Sequence, residues 1–230
     1  MKLPRGQATN VLVVVTGLAF VGVTLAGLGE MAAVLGGFIP ARVARPDLLA
    51  HAGFGLAAVP MWLTPLSATL LHGGWLHLGF NMLTLLFCGR QVEQAIGPRL
   101  LMLLYVVGAY AAAAGQWMLG PQGIVPMVGA SGAISAVIGA YALLYSDQKV
   151  RSWGPLPAYA VRMIWLGAGW TALQCMIALA GITGGTGGGL DLGRIAIGAH
   201  IGGFIAGMLL TRPLLRMRFR GKAYRTGQVQ

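Results

Sequence analysis

Apolar residues gather along the chain in six long blocks, roughly Val11–Leu28, Ala68–Cys88, Leu100–Leu119, Ser131–Tyr145, Tyr159–Ala180 and Ile195–Leu210, separated by short joints. Most are near the ~20 residues that a bilayer crossing requires. The pattern predicts an all-α, polytopic membrane protein: a six-helix bundle over residues 11–211, preceded by a short cytoplasmic N-terminus, 1–10, and followed by a basic cytoplasmic tail, 212–230. The connections leave no room for a separate soluble domain, and no unit recurs as it would in a transporter built from two halves. The first block, behind Lys2 and Arg5, shares its make-up with a signal peptide, but its apolar run exceeds the ~7–15 residues of a signal core.

Composition agrees: 9% of residues are charged and 57% hydrophobic, far from the balance of a soluble domain. Charge then sets the orientation. With an even number of crossings both termini share a side, and only Arg42, Arg45 and Arg194 of the 16 Lys and Arg fall on the other. Positive charge collects on the cytoplasmic side, so both ends are expected there. The net charge of +11 is accounted for by this topology and by anionic lipid near the tail "RPLLRMRFRGKAYRTG", without nucleic-acid binding.

Polar groups within the apolar blocks are few, and each costs several kcal/mol in hydrocarbon unless paired or wetted. His77 and Asn81 are four apart and share a helix face. Ser131 opens the fourth block and His200 lies just inside the sixth; in the six-crossing topology all four occupy the outward half. The fourth block spans ~22 Å at 1.5 Å per residue, short of the ~30 Å hydrocarbon core. Its start is therefore submerged, level with His200. Ser131, Ser135 and Gly139 form a small-residue stripe, as do His200, Gly203 and Gly207, and such stripes let helices approach closely in lipid.

Taken singly, Ser131 reads as a packing residue and His200 as a structural hydrogen-bonder. Together the four are sufficient for acyl transfer. Ser131 would be the nucleophile and His200 its base, while the Ser131 backbone N–H, the Asn81 amide and His77 would stabilise the oxyanion. No carboxylate falls near enough to complete a triad, so a dyad is expected. Cys88 and Cys175 have no partner at metal or redox spacing and read as packing residues.

The pieces "GASG" with Ser131, "HLGFN" with His77 and Asn81, and "GAHIGGFIAG" with His200 resemble the rhomboid intramembrane serine proteases, of bacterial type, in the family's order and over roughly Val11–Leu210. The resemblance implies hydrolysis of a peptide bond in or beside the transmembrane segment of membrane-protein substrates, with no metal or cofactor. Transmembrane proteins and membrane lipid are the implied partners, and a bacterial inner membrane, with the active site facing outward, is the implied setting. His72 matches a histidine with a hydrogen-bonding role at the helix entrance, and Glu93 a polar residue that fixes structure at the inner end. Two positions depart from the pattern. Ser135 stands where many members stack an aromatic residue on the base. The long first loop, Gly37 to Ser67, has Trp62 in "MWLTP" without the arginine that usually follows; its Leu48, Leu49, Phe54 and Trp62 suit the outer leaflet.

Rival chemistries lack their residues. No histidine is followed by glutamate, as a His-Glu-x-x-His zinc site requires. Asp191, in the loop "GITGGTGGGLDLG", and the isolated Glu30 do not make an aspartyl pair, and that loop lacks the Gly-Lys-Ser/Thr ending of a phosphate cradle. A non-catalytic rhomboid-like protein that binds membrane helices remains the alternative. A transporter would need interrupted helices at the midplane and a polar path inward.

Overall fold

The computed structural model describes residues 6–54, 57–145, 150–183 and 196–226, and the side chains of all of these except 171–183 and 220–226. The run containing Asp191, the Cys175 side chain and the last four residues lie outside the described residues. The order is α1 (Gln7–Leu25), α2 (Gly29–Gly36), the short turns α3 (Leu48–His51) and α4 (Thr64–Ser67), α5 (Trp75–Thr84), α6 (Arg90–Ile96), α7 (Pro98–Leu119), α8 (Ser131–Tyr145), α9 (Ala158–Thr183) and α10 (Ile197–Thr226). The described residues contain no β-sheet, only two isolated bridges, Phe38 with Met127 and Trp153 with Leu156.

Three described helices are long and apolar enough to cross a membrane, Gln7–Leu25, Pro98–Leu119 and Ile197–Phe219, and α8 is a shorter apolar helix. α8 keeps its expected bounds, and the second and sixth segments depart furthest from theirs. The second begins as a helix at Trp75 rather than Ala68, because Gly74, at φ +156°, breaks the chain before it. It then runs past Cys88 through a π-helical turn, Leu85–Gly89, into α6, and stops at Gly97 (φ +91°), where Pro98 opens α7. The sixth does not end at Leu210. α10 continues through Pro213, so residues 211 and 212 mark no structural break. Past the proline, buried Leu214 holds the helix to the core, and Arg218 Nη1 donates to the Glu93 carbonyl at 3.3 Å.

α8 is the centre. Nine of its 15 residues are buried, so it faces protein rather than lipid around most of its circumference. Leu85, Leu101, Leu104, Ile134 and Val137 fill the core between it, α7 and the π turn. Glycines set the approach of its neighbours. A Cβ on Gly203 would lie 2.1 Å from the Gly132 carbonyl oxygen, and one on Gly207 only 1.9 Å from that of Ala136. From the other side, one on Gly139 would meet the Phe204 oxygen at 2.3 Å. α7 joins α10 the same way, through Gly115, Gly198 and Gly202.

At the basic end a carboxylate anchors α1. Glu93, 5% exposed, accepts the Ala8 N–H at 3.0 Å, the Thr9 N–H at 2.9 Å and the Thr9 hydroxyl at 2.8 Å. These are first-turn donors without an intrahelical acceptor, and a negative group suits that end of a helix. Glu93 therefore has the structural role expected of it, and α1 starts at Gln7, ahead of the expected Val11.

The first loop is a packed layer. Ile39, Ala41 and Leu49 are buried together, with Leu48 and Phe54 against them, whereas Trp62 is exposed. Of the four apolar side chains expected to face lipid, Leu49 thus turns inward. Of the loop's two arginines, Arg42 is 4% exposed, and its Nη2 donates to the Val59 carbonyl at 3.0 Å.

Two substitutions test this packing. Gly207→Ala should cost about 2–3 kcal/mol, because the methyl group displaces a backbone rather than a flexible side chain. Gly22→Ala, with nothing within 4 Å, should be neutral or slightly stabilising. Unfolding of the purified proteins in detergent compares them. Glu93→Ala, which strands buried donors, should cost ~3 kcal/mol by the same assay, with Glu93→Gln intermediate.

Candidate active site

The serine turn is held by the first loop. Phe38 and Met127 exchange both backbone hydrogen bonds, at 3.0 and 2.8 Å, and the Gly129 N–H donates to the Ala68 carbonyl at 2.9 Å. Ala41 adds a bond to the Gly123 carbonyl at 3.0 Å. The segment before Ser131 is thus pinned in extended form and turns abruptly at Gly129, whose φ of +116° favours glycine. Ser131 is the first residue of α8, where the backbone N–H groups have no acceptor within the helix.

His200 sits in the first turn of α10 and reaches Ser131 across the glycine seam. Its Nε2 is 2.8 Å from the Ser131 Oγ, and both residues are partly buried. If Nε2 accepts the hydroxyl proton, the imidazole proton resides on Nδ1, the tautomer that a general base requires. Ser135, one turn below and 2% exposed, donates its hydroxyl to the Ser131 carbonyl at 2.8 Å.

His77 faces the same turn. Its Nδ1 accepts the Gly73 N–H at 3.3 Å, which assigns the ring proton to Nε2. That nitrogen lies beside Gly129: a Cβ there would be 2.7 Å from His77 Nε2 and 3.8 Å from Ser131 Oγ. A ring N–H therefore borders the space next to the serine hydroxyl. Asn81 is 7% exposed, and its Nδ2 donates to the His77 carbonyl at 2.9 Å. The structure thus joins Ser131 directly to His200 and places His77 alongside, while Asn81 is bonded back to its own helix with one amide hydrogen remaining.

Surrounding residues hold these in place. His72 Nε2 accepts the Ala130 N–H at 3.4 Å, and its ring packs edge-on against His77 with centroids 5.0 Å apart. Phe20, buried on α1, stands edge-on to His72 at 6.4 Å and to Trp75 at 4.9 Å. α1 thereby braces the entrance of α5. Among the described residues no three His, Cys, Asp or Glu side chains cluster as a metal site would need.

Sequence reasoning did not single out Arg42 or Trp170. Trp170, on α9, donates its Nε1–H to the His200 carbonyl at 3.3 Å and stacks on Phe204 at 4.9 Å with an 8° interplanar angle. Nothing in the spacing marks either residue; Arg42 looked only like one of three cations on the outer side.

The Rhomboid domain family matches residues 59–217, and the chain belongs to that family. With its apolar helices, this makes it an integral membrane protein. It is 31% identical over 150 residues to RHOMBOID-like protein 5 of Arabidopsis thaliana, covering 65% of this chain and 43% of that protein. To Rhomboid-like protein 11, chloroplastic, of the same plant it is 30% identical over 151 residues, covering 66% and 52%. RHOMBOID-like protein 4 matches at 31% over 150 residues, 65% and 33%. The chain spans about half or less of these relatives' length. They are plant proteins, so the comparisons do not support a bacterial type.

Gly129→Ala should force the His77 ring away and strain the turn, at a cost of about 1–3 kcal/mol. Thermal unfolding, with the His77 ring signals read by NMR, checks both effects.

Proposed function

We propose that the protein is an intramembrane serine endopeptidase that hydrolyses a peptide bond in or beside the transmembrane segment of membrane-protein substrates. The observation that carries this reading is the 2.8 Å approach of His200 Nε2 to Ser131 Oγ inside an apolar bundle. A hydroxyl and an imidazole within hydrogen-bond reach are the parts of an activated nucleophile.

His200 takes the Ser131 proton as Oγ attacks the scissile carbonyl, and returns it to the leaving amine as the acyl-enzyme forms. Water, deprotonated by the same imidazole, then attacks the ester and releases Ser131. At each tetrahedral stage the oxyanion is met by the Ser131 backbone N–H, by the His77 Nε2–H beside Gly129 and by the free amide hydrogen of Asn81. No metal or cofactor enters. The topology proposed with this chemistry has six crossings, both termini on the arginine-rich cytoplasmic side, as in a bacterial-type member, and the dyad toward the outer face. Substrate segments with Gly, Ala, Ser or Pro near their outer end suit such a site, since a helix must unwind before its carbonyl reaches Ser131.

A serine-directed fluorophosphonate should label Ser131, and Ser131→Ala or His200→Ala should abolish cleavage of a reporter transmembrane substrate in liposomes with little change in melting temperature. Full cleavage by Ser131→Ala refutes the proposal, and a folded protein that neither labels nor cleaves is the non-catalytic helix-binding alternative. Asn81→Ala should lower turnover by ~10²–10³ with a much smaller effect on KM, because its contact strengthens in the transition state. Steady-state kinetics decides; a large loss of stability with full activity in the folded fraction would make Asn81 a packing residue.

A further inference from the structure

Ser135, one turn below Ser131, places no ring beside His200: its hydroxyl is directed to the Ser131 carbonyl. An aromatic side chain does reach the turn that carries His200, but from another helix. Trp170 of α9 spans one turn of α10. At one end its indole N–H donates to the carbonyl of His200 itself; at the other its ring lies flat on Phe204, four residues on. Phe204 is 2% exposed, and its carbonyl is pressed against Gly139 of α8, so the turn is fixed from both sides.

From this geometry we infer that Trp170 is a positioning residue for His200: the α9 indole fixes the His200–Phe204 turn, and with it the direction of the imidazole toward Ser131. The inference builds on the proposed dyad and adds a helix on which its alignment depends. An indole suits the position because it offers a flat face and a donor at its edge, and phenylalanine offers only the face. Near-attack geometry is unforgiving. A displacement of about 1 Å at a reacting group costs roughly 10²-fold in rate.

Trp170→Phe in the full chain separates the two contacts, keeping the stack and removing the N–H. In liposomes it should lower kcat about tenfold and slow fluorophosphonate labelling of Ser131 by the same factor, with KM and melting temperature near parental; Trp170→Ala should cost roughly 10²-fold. Parallel losses are the signature of positioning. Parental labelling with altered cleavage would place Trp170 in substrate entry and overturn the inference, as would a rate loss accompanied by a matching fall in melting temperature. Independently of activity, the ring 15N signals of the four histidines should show His200 shifted or broadened by Trp170→Phe, with His72 and His77 unmoved. An unchanged His200 signal also overturns it. A parental protein that neither labels nor cleaves would refute the protease reading instead, and the histidine spectrum would still decide the role of Trp170.

Discussion

The structure depends on how closely α10 lies against α8. Where Gly203 meets the Gly132 carbonyl and Gly207 that of Ala136, there is no space for a methyl group. In hydrocarbon, burying apolar surface gives no preference for one helix partner over another, so packing contact and weak polar contacts decide. Glycine lets two backbones approach until those contacts are dense. It also costs helix propensity, about 1 kcal/mol per residue relative to alanine. The close seam offsets that cost and brings a histidine on one helix within 2.8 Å of a serine on the other.

Everything else around the seam fixes one end of it. The first loop, pinned to the serine segment through Phe38 and Met127, sets where α8 begins. α1 is tied at the basic end by Glu93 and reaches up with Phe20 to brace His72 and Trp75. One carboxylate thus connects the basic end of the bundle to the helix whose other end supports the candidate site. The π turn Leu85–Gly89 lies between these two levels in the second segment, and the extra residue per turn that it inserts re-aims the side chains above it relative to those below.

The tautomers follow the same logic. His77 accepts a backbone N–H on Nδ1 and so presents a proton at Nε2, while a base at His200 presents a lone pair there. Two imidazoles can serve opposite roles when a different nitrogen of each carries the proton: the Gly73 N–H selects it at His77, and a base at His200 needs it on Nδ1.

The sequence by itself determined the class of fold, the order of its apolar helices and the four polar residues that could carry chemistry, because in a membrane polar groups are expensive and therefore conspicuous. The bounds of α8 could be read directly, since its start is marked by Gly-Ala-Ser and its length by the run of small residues. The helix break at Gly74, the passage of α10 through Pro213 and the inward turn of Leu49 could not. The break comes from the backbone at Gly74 itself, whereas the other two are decided by neighbours distant in sequence: the core around Leu214 and the carbonyl that receives Arg218 for α10, and the loop layer with Ile39 for Leu49. The contacts of Arg42 with Val59 and of Trp170 with His200 were equally invisible, because a hydrogen bond to a backbone carbonyl leaves no trace in the identity of the residue that accepts it. Local pattern fixes what a segment is, whereas the side-chain donors that hold it in place are assigned only when helices far apart in sequence come together.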